Sequence, residues 1–474
     1  MSYVKPRIRV LTKDQIEHIH DYSLKILAKV GIRVDSERAR DVFENVSGIS
    51  TVDNILRIPP ELVDWALKVA PSVVDIYNRR GEPVFQLGDI PNFQTRFGTG
   101  VTNLYYQDPM TDEVKPFTRK HMEITTRLGD ALPNFDVVST AGIIQDYPPD
   151  VIDLYGTLEM VANTIKPLVV LVSEDHCFDA TMNLLEHLHG NLAERPFIIP
   201  YLNPITPLVL NESTTDKMVA AIERDLPFIY NSVGMAGATS PITPAGTLAL
   251  LNAELLAGLV FSQLIKEGTP IIVGILATDF DMKNMQGYYT PRTLPLNLAC
   301  AEMMAYYGLP HSGSSGSGVG WGADLLGSST LWINHLTSCL GKVGLAPFVG
   351  GRFESLVFSS SFAVYANEVV RQARLYGSGF QLDDESVALN EIETIGPGGN
   401  FFMADQTVKL CRNTNFTVGI WPYLVLDDWE AAGKPRADDL LRQHTRDLLD
   451  NLAAPEDHDE LIAKGEAFIR KALP

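Results

Sequence analysis

Apolar and polar residues alternate along the chain in a pattern that predicts short buried strands, each followed by a helix. The clearest unit begins with the apolar run Pro227–Asn231, which has the length of a buried strand, and continues through the small residues Ser232–Ser240. Thr243 is a suitable N-cap for the Ala- and Leu-rich segment Ala245–Lys266, and Thr269–Gly274 is the next apolar run. The small, polar loop of this β-loop-α-β unit fits either a functional loop at the carboxyl end of a strand or a tight turn.

The same rhythm extends over most of the chain. Eight apolar runs, spaced by roughly 30 to 40 residues, alternate with helical patterns, which predicts parallel βα units. Eight such units in a row favour an α/β fold of the (β/α)8 TIM-barrel type over an open sheet. The predicted strands are Thr95–Val101, Val137–Ile144, Leu168–Val172, Phe197–Leu202, Phe228–Asn231, Ile271–Leu276, Leu309–Ser314 and Val343–Val349.

The segments outside this repeat predict two helical extensions. Residues 1–90 contain helix starts at Thr12, Ser36 and Pro60 and are predicted to form an N-terminal helical cap. Residues 91–355 are predicted to form the barrel core. Residues 356–474 are predicted to form a C-terminal helical extension packed on the barrel.

Composition narrows the function classes. The chain has 474 residues and a net charge of -20, which argues against binding to nucleic acid or to an anionic membrane surface. Its four cysteines form no C-x-x-C pair, so neither a disulfide scaffold nor a structural zinc site is predicted. Asn252, Glu254 and Gln263 interrupt the most apolar helix, which therefore predicts a core helix rather than a membrane span. The N-terminus lacks a signal-peptide core, so we expect a cytoplasmic protein.

The carboxyl ends of the predicted strands give the candidate site, since barrel enzymes carry their chemistry there. This rim is rich in glycine, serine, asparagine and aromatic residues and poor in acid-base pairs, which is typical of a site that positions a ligand. The sequence contains neither the H-E-x-x-H motif of zinc metalloproteases nor the G-x-S-x-G motif of serine hydrolases. His311 is the exception, although a single histidine at a strand end also fits a hydrogen-bonded structural residue.

Aromatic residues are frequent near the rim. They are compatible with a cage that holds a quaternary ammonium group by cation–π contact, or with simple packing of a lid. The residues are Tyr105, Tyr106, Tyr288, Tyr289, Trp321, Phe348 and Phe353.

Several stretches of the chain resemble the trimethylamine:corrinoid methyltransferase superfamily. They are Met235–Gly246, Asn252–Glu254 with Gln263–Leu264, Gly396–Phe401, Pro204–Leu208 and Leu27–Val34, and the resemblance covers residues 10–450. It implies a TIM barrel that moves a methyl group from a methylamine to the Co(I) of a cognate corrinoid protein. It also implies that cob(I)alamin, or a related corrinoid, is supplied by that partner and not held by this chain, which has no D-x-H-x-x-G motif.

One departure from the superfamily narrows the expected substrate. Founding members carry pyrrolysine in the barrel, whereas the corresponding region His311–Trp321 contains only ordinary residues, with Gly316 as the best single match. The chain therefore resembles the non-pyrrolysine branch, whose known type is glycine betaine:corrinoid methyltransferase. A quaternary nitrogen is already cationic, so dimethylglycine leaves as a neutral amine without protonation. The acid-poor rim favours such a substrate, and with it the aromatic cage.

The resemblance implies a role for each candidate residue. His311 and Gly316 are the catalytic candidates. The trimethylammonium group is assigned to some of Tyr105, Tyr106, Trp321, Phe348 and Phe353, and the carboxylate to His311 or Arg352 with help from Asn231. The corrinoid is expected to approach over Ser232, Gly234, Gly237, Ser314 and Gly318, and no metal ligands are predicted.

Three functions remain open on the sequence. The first is transfer from a quaternary amine, with glycine betaine ahead of proline betaine, carnitine and γ-butyrobetaine. The second is transfer from a tertiary methylamine or another methyl donor. The third is a betaine-binding protein that has lost methyl transfer. A homo-oligomer is expected in each case.

Overall fold

The computed structural model describes residues 2–44, 46–91, 93–100, 102–313, 315–414 and 419–472. Eight parallel strands curl into a barrel, which confirms the predicted fold class. They are β1 Arg96–Thr99, β2 Val137–Ser139, β3 Leu168–Val170, β4 Ile198–Leu202, β5 Phe228–Ala236, β6 Ile271–Asp281, β7 at residues 311–312 and β8 Leu345–Val349.

Hydrogen bonds through β7 close the barrel. Strands β1 to β6 pair in chain order, and β8 pairs with β1. Ser312 donates its backbone N–H to the Val273 carbonyl at 3.0 Å, and Leu345 donates to the His311 carbonyl at 2.9 Å. The seventh strand is therefore only two residues long, much shorter than the predicted Leu309–Ser314.

Strand β5 is longer than predicted because small residues continue it. The residues from Ser232 onward, predicted as a loop, remain paired with β6 as far as Ala236. A Cβ atom on Gly234 would lie 2.7 Å from the Leu251 side chain, so the absence of a side chain lets the helix pack directly on the strand. A turn over 237–240 then leads to that helix.

Eight helices form the outer ring. They are α1 Arg119–Ala131, α2 Pro149–Asn163, α3 Phe178–His189, α4 Glu212–Glu223, α5 Pro244–Ile265, α6 Leu294–Tyr307, α7 Leu325–Leu340 and α8 Ser360–Ser378. Helix α8 packs on α7, and its Arg374 donates to the Thr95 carbonyl at 3.1 Å. The barrel therefore extends beyond the boundary predicted at residue 355.

Helix α5 is long and apolar enough to cross a membrane by length and composition alone. In the structure 89% of its most apolar stretch is buried, and the helix packs against β5 and against the N-terminal helices Lys13–Lys29 and Pro60–Val69. This burial is that of a core helix.

The N-terminal section packs on the outside of the barrel, and its hairpin closes the amino end of the barrel interior. It contains the helices Lys13–Lys29, Glu37–Glu44 and Pro60–Val69 and the hairpin Val73–Tyr77 with Pro83–Gly88. Inward side chains of the hairpin join the apolar core inside the barrel. The Arg96 guanidinium lies 5.1 Å from the centre of the Phe85 ring.

The C-terminal section has a packed part and an exposed part. Helices Ala437–Asp450 and His458–Ala472 pack on α8 and on α2 and α3, respectively. Between them and α8 lie Asp384–Val387, Leu389–Ile395, Asp405–Thr414 and Leu426–Ala431. The Gly396–Phe401 motif lies in this exposed part.

Candidate active site

The barrel interior changes from apolar to polar along the strands. Its lower layer contains the buried aliphatic residues Val137, Val169, Ile199, Ile229, Ile272 and Leu345. One step further along β5 and β6 come Asn231 and Gly274, which are paired. The polar layer of the interior therefore lies near the carboxyl ends of the strands, where barrel enzymes place their sites.

Asn231 is fully buried in this upper layer. Within the described chain, neither atom of its side-chain amide has a hydrogen-bond partner, and the buried hydroxyls of Ser312 and Thr278 also lack one. A Cβ atom on Gly274 would lie 3.3 Å from Asn231 Oδ1 and only 1.5 Å from the Ser312 carbonyl oxygen, so glycine is required here. Buried polar groups are normally hydrogen-bonded, and such a cluster therefore indicates where a ligand or water binds.

Two aromatic rings of the apolar interior lie near the carboxyl ends of their strands. Tyr201, near the end of β4, and Phe348, near the end of β8, have ring centroids 4.9 Å apart at an angle of 89°. Burial raises the pKa of Tyr201 well above its usual value, and the nearby Tyr289 phenol adds to this shift. A neutral phenol and a phenyl ring offer the electron-rich faces that attract a cation.

Glu354 brings a carboxylate to the same end of the barrel, in the loop after β8. Burial raises its pKa to about 7, while the Tyr289 backbone amide and the Arg352 guanidinium oppose that shift. Among the described residues, neither carboxylate oxygen has a hydrogen-bond partner of ordinary geometry, although both are shielded from solvent. A half-ionised carboxylate of this kind can balance the charge of a bound cation or transfer a proton.

The backbone around Glu354 is strained. Phe353, Glu354 and Ser355 all have positive φ, at 49°, 53° and 72°. Non-glycine residues rarely adopt this left-handed conformation, and such strain is concentrated at functional sites. The loop therefore holds the carboxylate in an orientation that a relaxed backbone would not give.

The prediction that His311 is catalytic does not fit its position. His311 pairs with Val273, near the amino end of β6, and shares its outward orientation, so its ring lies between the barrel and the helices. Its Nδ1 accepts the Gly344 backbone N–H at 3.2 Å. Burial lowers its pKa to about 3, so the ring is neutral.

Gly316 also points away from the barrel interior. It pairs with Val349, and a Cβ atom on Gly316 would lie 2.8 Å from that outward-facing side chain. A reactive side chain at this position would therefore meet the wall of the barrel, which removes Gly316 as a catalytic candidate.

Arg352 is buried and supports a loop. It is almost fully buried, and it donates to the Val319 carbonyl at 2.8 Å and to the Gly316 carbonyl at 2.9 Å. Its guanidinium lies 3.4 Å from the centre of the Phe362 ring. Two donors are thus committed to the loop before α7, which argues against the predicted contact with a substrate carboxylate.

The residues predicted to receive the corrinoid fall into different environments. Ser232 faces outward, where its hydroxyl donates to the buried Glu254, and Gly234 faces Leu251. Gly237, at φ +97°, forms the turn after β5. Gly318 is buried beside α7, and Ser314 lies outside the described residues.

The predicted aromatic cage is likewise divided. Phe348 lies inside the barrel, whereas Tyr106 stacks on His121 with ring centroids 4.4 Å apart and hydrogen-bonds to Ser360 at 2.9 Å. Tyr105 is half-buried on the small sheet next to Tyr106. Trp321 and Phe353 are exposed, at 66% and 39%, on the outer rim.

Two residues of the assembled site were missed by sequence reasoning. Tyr201 follows Pro200 inside an apolar run and carries the signal of an ordinary strand residue. Glu354 lies two residues after Arg352, in the segment that follows Gly350 and Gly351. The available signal was an acidic residue just after the eighth predicted strand. The described chain contains no group of three or more His, Cys, Asp or Glu side chains able to hold a metal ion.

The fold is a (β/α)8 barrel, and comparison with known proteins shows that the chain is a methyltransferase of this fold. The trimethylamine methyltransferase (MTTB) family model matches residues 2–472. The chain belongs to this family.

Named relatives cover nearly the whole chain. Trimethylamine methyltransferase MttB of Desulfitobacterium hafniense (strain DSM 10664 / DCB-2) is 27% identical over 95% of this chain and 91% of its own length. Glycine betaine methyltransferase of Desulfitobacterium hafniense (strain Y51) is 26% identical over 99% of this chain and 98% of its own. The crystal structure of Methanosarcina barkeri monomethylamine methyltransferase (MtmB) has a TM-score of 0.52 at 10% identity and covers 96% of this chain and 90% of its own, which supports the fold alone.

Proposed function

We propose that this chain transfers a methyl group from a quaternary amine to the Co(I) of a corrinoid that a separate cognate protein carries. Glycine betaine is the first candidate, and its product would be dimethylglycine. The methyl–nitrogen bond breaks and a methyl–cobalt bond forms, the nitrogen keeping the electron pair of the broken bond and Co(I) supplying the pair of the new one. The corrinoid is thus a co-substrate that provides the nucleophile.

The combination of Glu354 with the Tyr201–Phe348 pair carries this proposal. A quaternary ammonium group is a cation without an N–H donor. It matches a carboxylate whose oxygens have no hydrogen-bond partner of ordinary geometry among the described residues, at the barrel end that bears two perpendicular aromatic rings. The unpartnered Asn231 amide supplies a donor for the substrate carboxylate.

For this reaction the protein mainly has to position the substrate and exclude water from the site. The substrate nitrogen already carries its positive charge, so the amine leaves neutral and no side chain has to protonate it. Holding the methyl group in line with the incoming nucleophile, in a site closed to water, supplies most of the rate.

The rim of the barrel suits docking of a corrinoid protein. Large apolar side chains are exposed on the loops that follow β5 to β8, among them Ile242, Met282, Trp321, Leu325 and Phe353. Exposed apolar residues grouped around a site mouth are typical of a protein interaction surface.

A tertiary methylamine is the second candidate. The pKa of Glu354, about 7, would allow this carboxyl group to protonate a departing amine at neutral pH. Several relatives are also named trimethylamine methyltransferases, and their identity to this chain is similar to that of the glycine betaine methyltransferase.

A spectral assay of Co(I) methylation tests the proposal and separates the two substrates. The purified chain is mixed with reduced cob(I)alamin and, in separate cuvettes, glycine betaine, carnitine or trimethylamine. Loss of the Co(I) band with growth of methyl-Co(III) in a quaternary-amine cuvette alone is the expected result. Reaction with trimethylamine alone would show that the substrate is a tertiary amine and not a quaternary one. Absence of reaction with every donor, repeated with a corrinoid protein, would refute it.

A further inference from the structure

A cavity lies at the opposite end of the barrel from the candidate active site. Its volume is about 540 Å³. It is bordered by residues of the N-terminal segment 5–16, by residues 88–91 and 93 before β1, and by the residues that lead into β7 and β8. Of the residues that the sequence assigned to substrate or corrinoid, His311 lines this cavity. In the structure His311 lies near the amino ends of the strands.

The charges around this cavity are mostly positive. Five cationic side chains line it against two carboxylates, Asp89 and Glu302; the cations are Lys5, Arg7, Arg9, Lys13 and Lys342. Lys13 pairs with Glu17 at 3.4 Å, whereas the other four have no ion pair within the part of the chain that the structure describes. On a chain with a net charge of -20, such a concentration of unpaired cations is a local exception.

Of the two carboxylates, Glu302 is already occupied. Its oxygens accept the backbone N–H groups of Val10 and Leu11 at 2.9 and 2.8 Å. The Ile8 backbone N–H donates to the Leu340 carbonyl at 2.9 Å, which anchors the same segment. The basic side chains therefore extend from a backbone that is fixed to the barrel.

The cavity wall also offers apolar and aromatic surface. Leu11, Leu309 and Leu340 line it, together with the half-exposed ring of Tyr306. His311 lines it as well, and its buried Nε2 has no hydrogen-bond partner among the described residues. The volume lies within the range of roughly 300 to 1,000 Å³ that small-molecule sites usually have.

We propose that this cavity binds a phosphorylated organic anion of the size of a nucleotide. Four unpaired cations suit a group with several negative charges, and Arg side chains bind phosphate oxygens through two parallel hydrogen bonds. The volume and the Tyr306 ring suit an organic portion beside the phosphates. The proposal does not depend on the substrate of the methyltransferase site.

Calorimetric titration of the full chain tests the assignment. ATP and tripolyphosphate are titrated separately in low-salt buffer into the wild type, the Arg7→Gln/Arg9→Gln double variant and a charge-matched control, Lys68→Gln/Arg446→Gln. The control residues are exposed and lie outside the cavity lining. ATP should bind the wild type and the control with equal affinity. It should bind the Arg7→Gln/Arg9→Gln variant at least about tenfold more weakly, since each Arg contributes a charge-assisted contact.

Three outcomes would overturn the proposal. Absence of binding heat with both anions would show that the cavity is not an anion site. An equal loss of ATP affinity in the Lys68→Gln/Arg446→Gln control would indicate unspecific charge attraction. Tripolyphosphate binding as tightly as ATP would exclude an organic ligand. A thermal-unfolding shift with ATP, present in the wild type and absent in the Arg7→Gln/Arg9→Gln variant, is the second readout. If that variant does not fold, Lys342→Gln, at an exposed turn before β8, replaces it.

Discussion

Replacing Glu354 with glutamine removes one negative charge from the barrel mouth while keeping the shape of the side chain. The carboxylate oxygens have no hydrogen-bond partner of ordinary geometry within the described chain, and the glutamine amide oxygen remains an acceptor for the nearby Tyr289 backbone N–H, so the change mainly removes the charge. It therefore isolates the attraction between this carboxylate and a bound quaternary ammonium group.

The size of the effect follows from the electrostatics. Two unit charges about 5 Å apart attract each other by about 3 kcal/mol at an effective dielectric constant of about 20. Solvent screening at the open mouth reduces this to about 1–2 kcal/mol. We therefore expect the KM for glycine betaine to rise roughly tenfold in the Glu354→Gln variant at pH 8, with little change in kcat.

The pH dependence gives a sharper test. Burial raises the pKa of Glu354 to about 7, so the wild-type carboxyl is ionised above that pH and protonated below it. The wild-type KM should fall as pH rises from 6 to 8, whereas the KM of the glutamine variant should not follow this titration. Initial rates of Co(I) methylation over this pH range provide the measurement.

The control removes a charge of the same sign from the same end of the barrel. Glu212→Gln changes an exposed residue at the start of α4, after β4, and should leave KM unchanged. Equal KM values for wild type and Glu354→Gln would refute the role of Glu354, as would persistence of the pH dependence in the variant.

Three further substitutions test other parts of the account. Tyr201→Leu should raise KM by the equivalent of about 0.5–2 kcal/mol through loss of a cation–π contact, whereas Tyr201→Phe should retain it; equal loss in both would contradict this role. Arg352→Ala should lower the free energy of unfolding by about 2–4 kcal/mol, since two loop carbonyls lose a charged donor, and an unchanged melting temperature with raised KM would instead return this arginine to the substrate. Gly274→Ala should fail to fold or lose much of its stability, because its Cβ would lie 1.5 Å from the Ser312 carbonyl oxygen. The control Gly156→Ala, inside α2 and with nothing nearer than 3.8 Å, should unfold in thermal scans at the wild-type temperature or slightly above it, since alanine favours a helix over glycine.

The barrel was predictable because its signal is repeated. Each apolar run of strand length precedes a helix with the same spacing, so an error at one strand does not change the fold class. Strand ends were less predictable, since pairing partners decide them. The small residues Ser232–Ala236 continue β5 because β6 pairs with them and Leu251 packs on Gly234, and neither contact can be recognised from the segment itself.

The site was less predictable because one residue of register reverses the direction of a side chain. His311 shares the outward face of Leu309, whereas the neighbouring Ser312 pairs with the inward-facing Leu345. Asn231 was identified because the apolar run around it fixes its strand. Glu354 was missed because its position depends on three consecutive residues in the left-handed conformation. Glycine and asparagine are the usual signals of that conformation, and residues 353–355 contain neither.

The most direct test of the central claim follows the methyl group itself. Glycine betaine with three deuterated N-methyl groups is incubated with the purified chain and the reduced corrinoid protein, and both products are identified by mass spectrometry. We predict trideuteromethyl-cobalt and dimethylglycine with two deuterated methyl groups in a one-to-one ratio. Unlabelled cobalt product, or none, with glycine betaine recovered intact would contradict transfer from a quaternary amine.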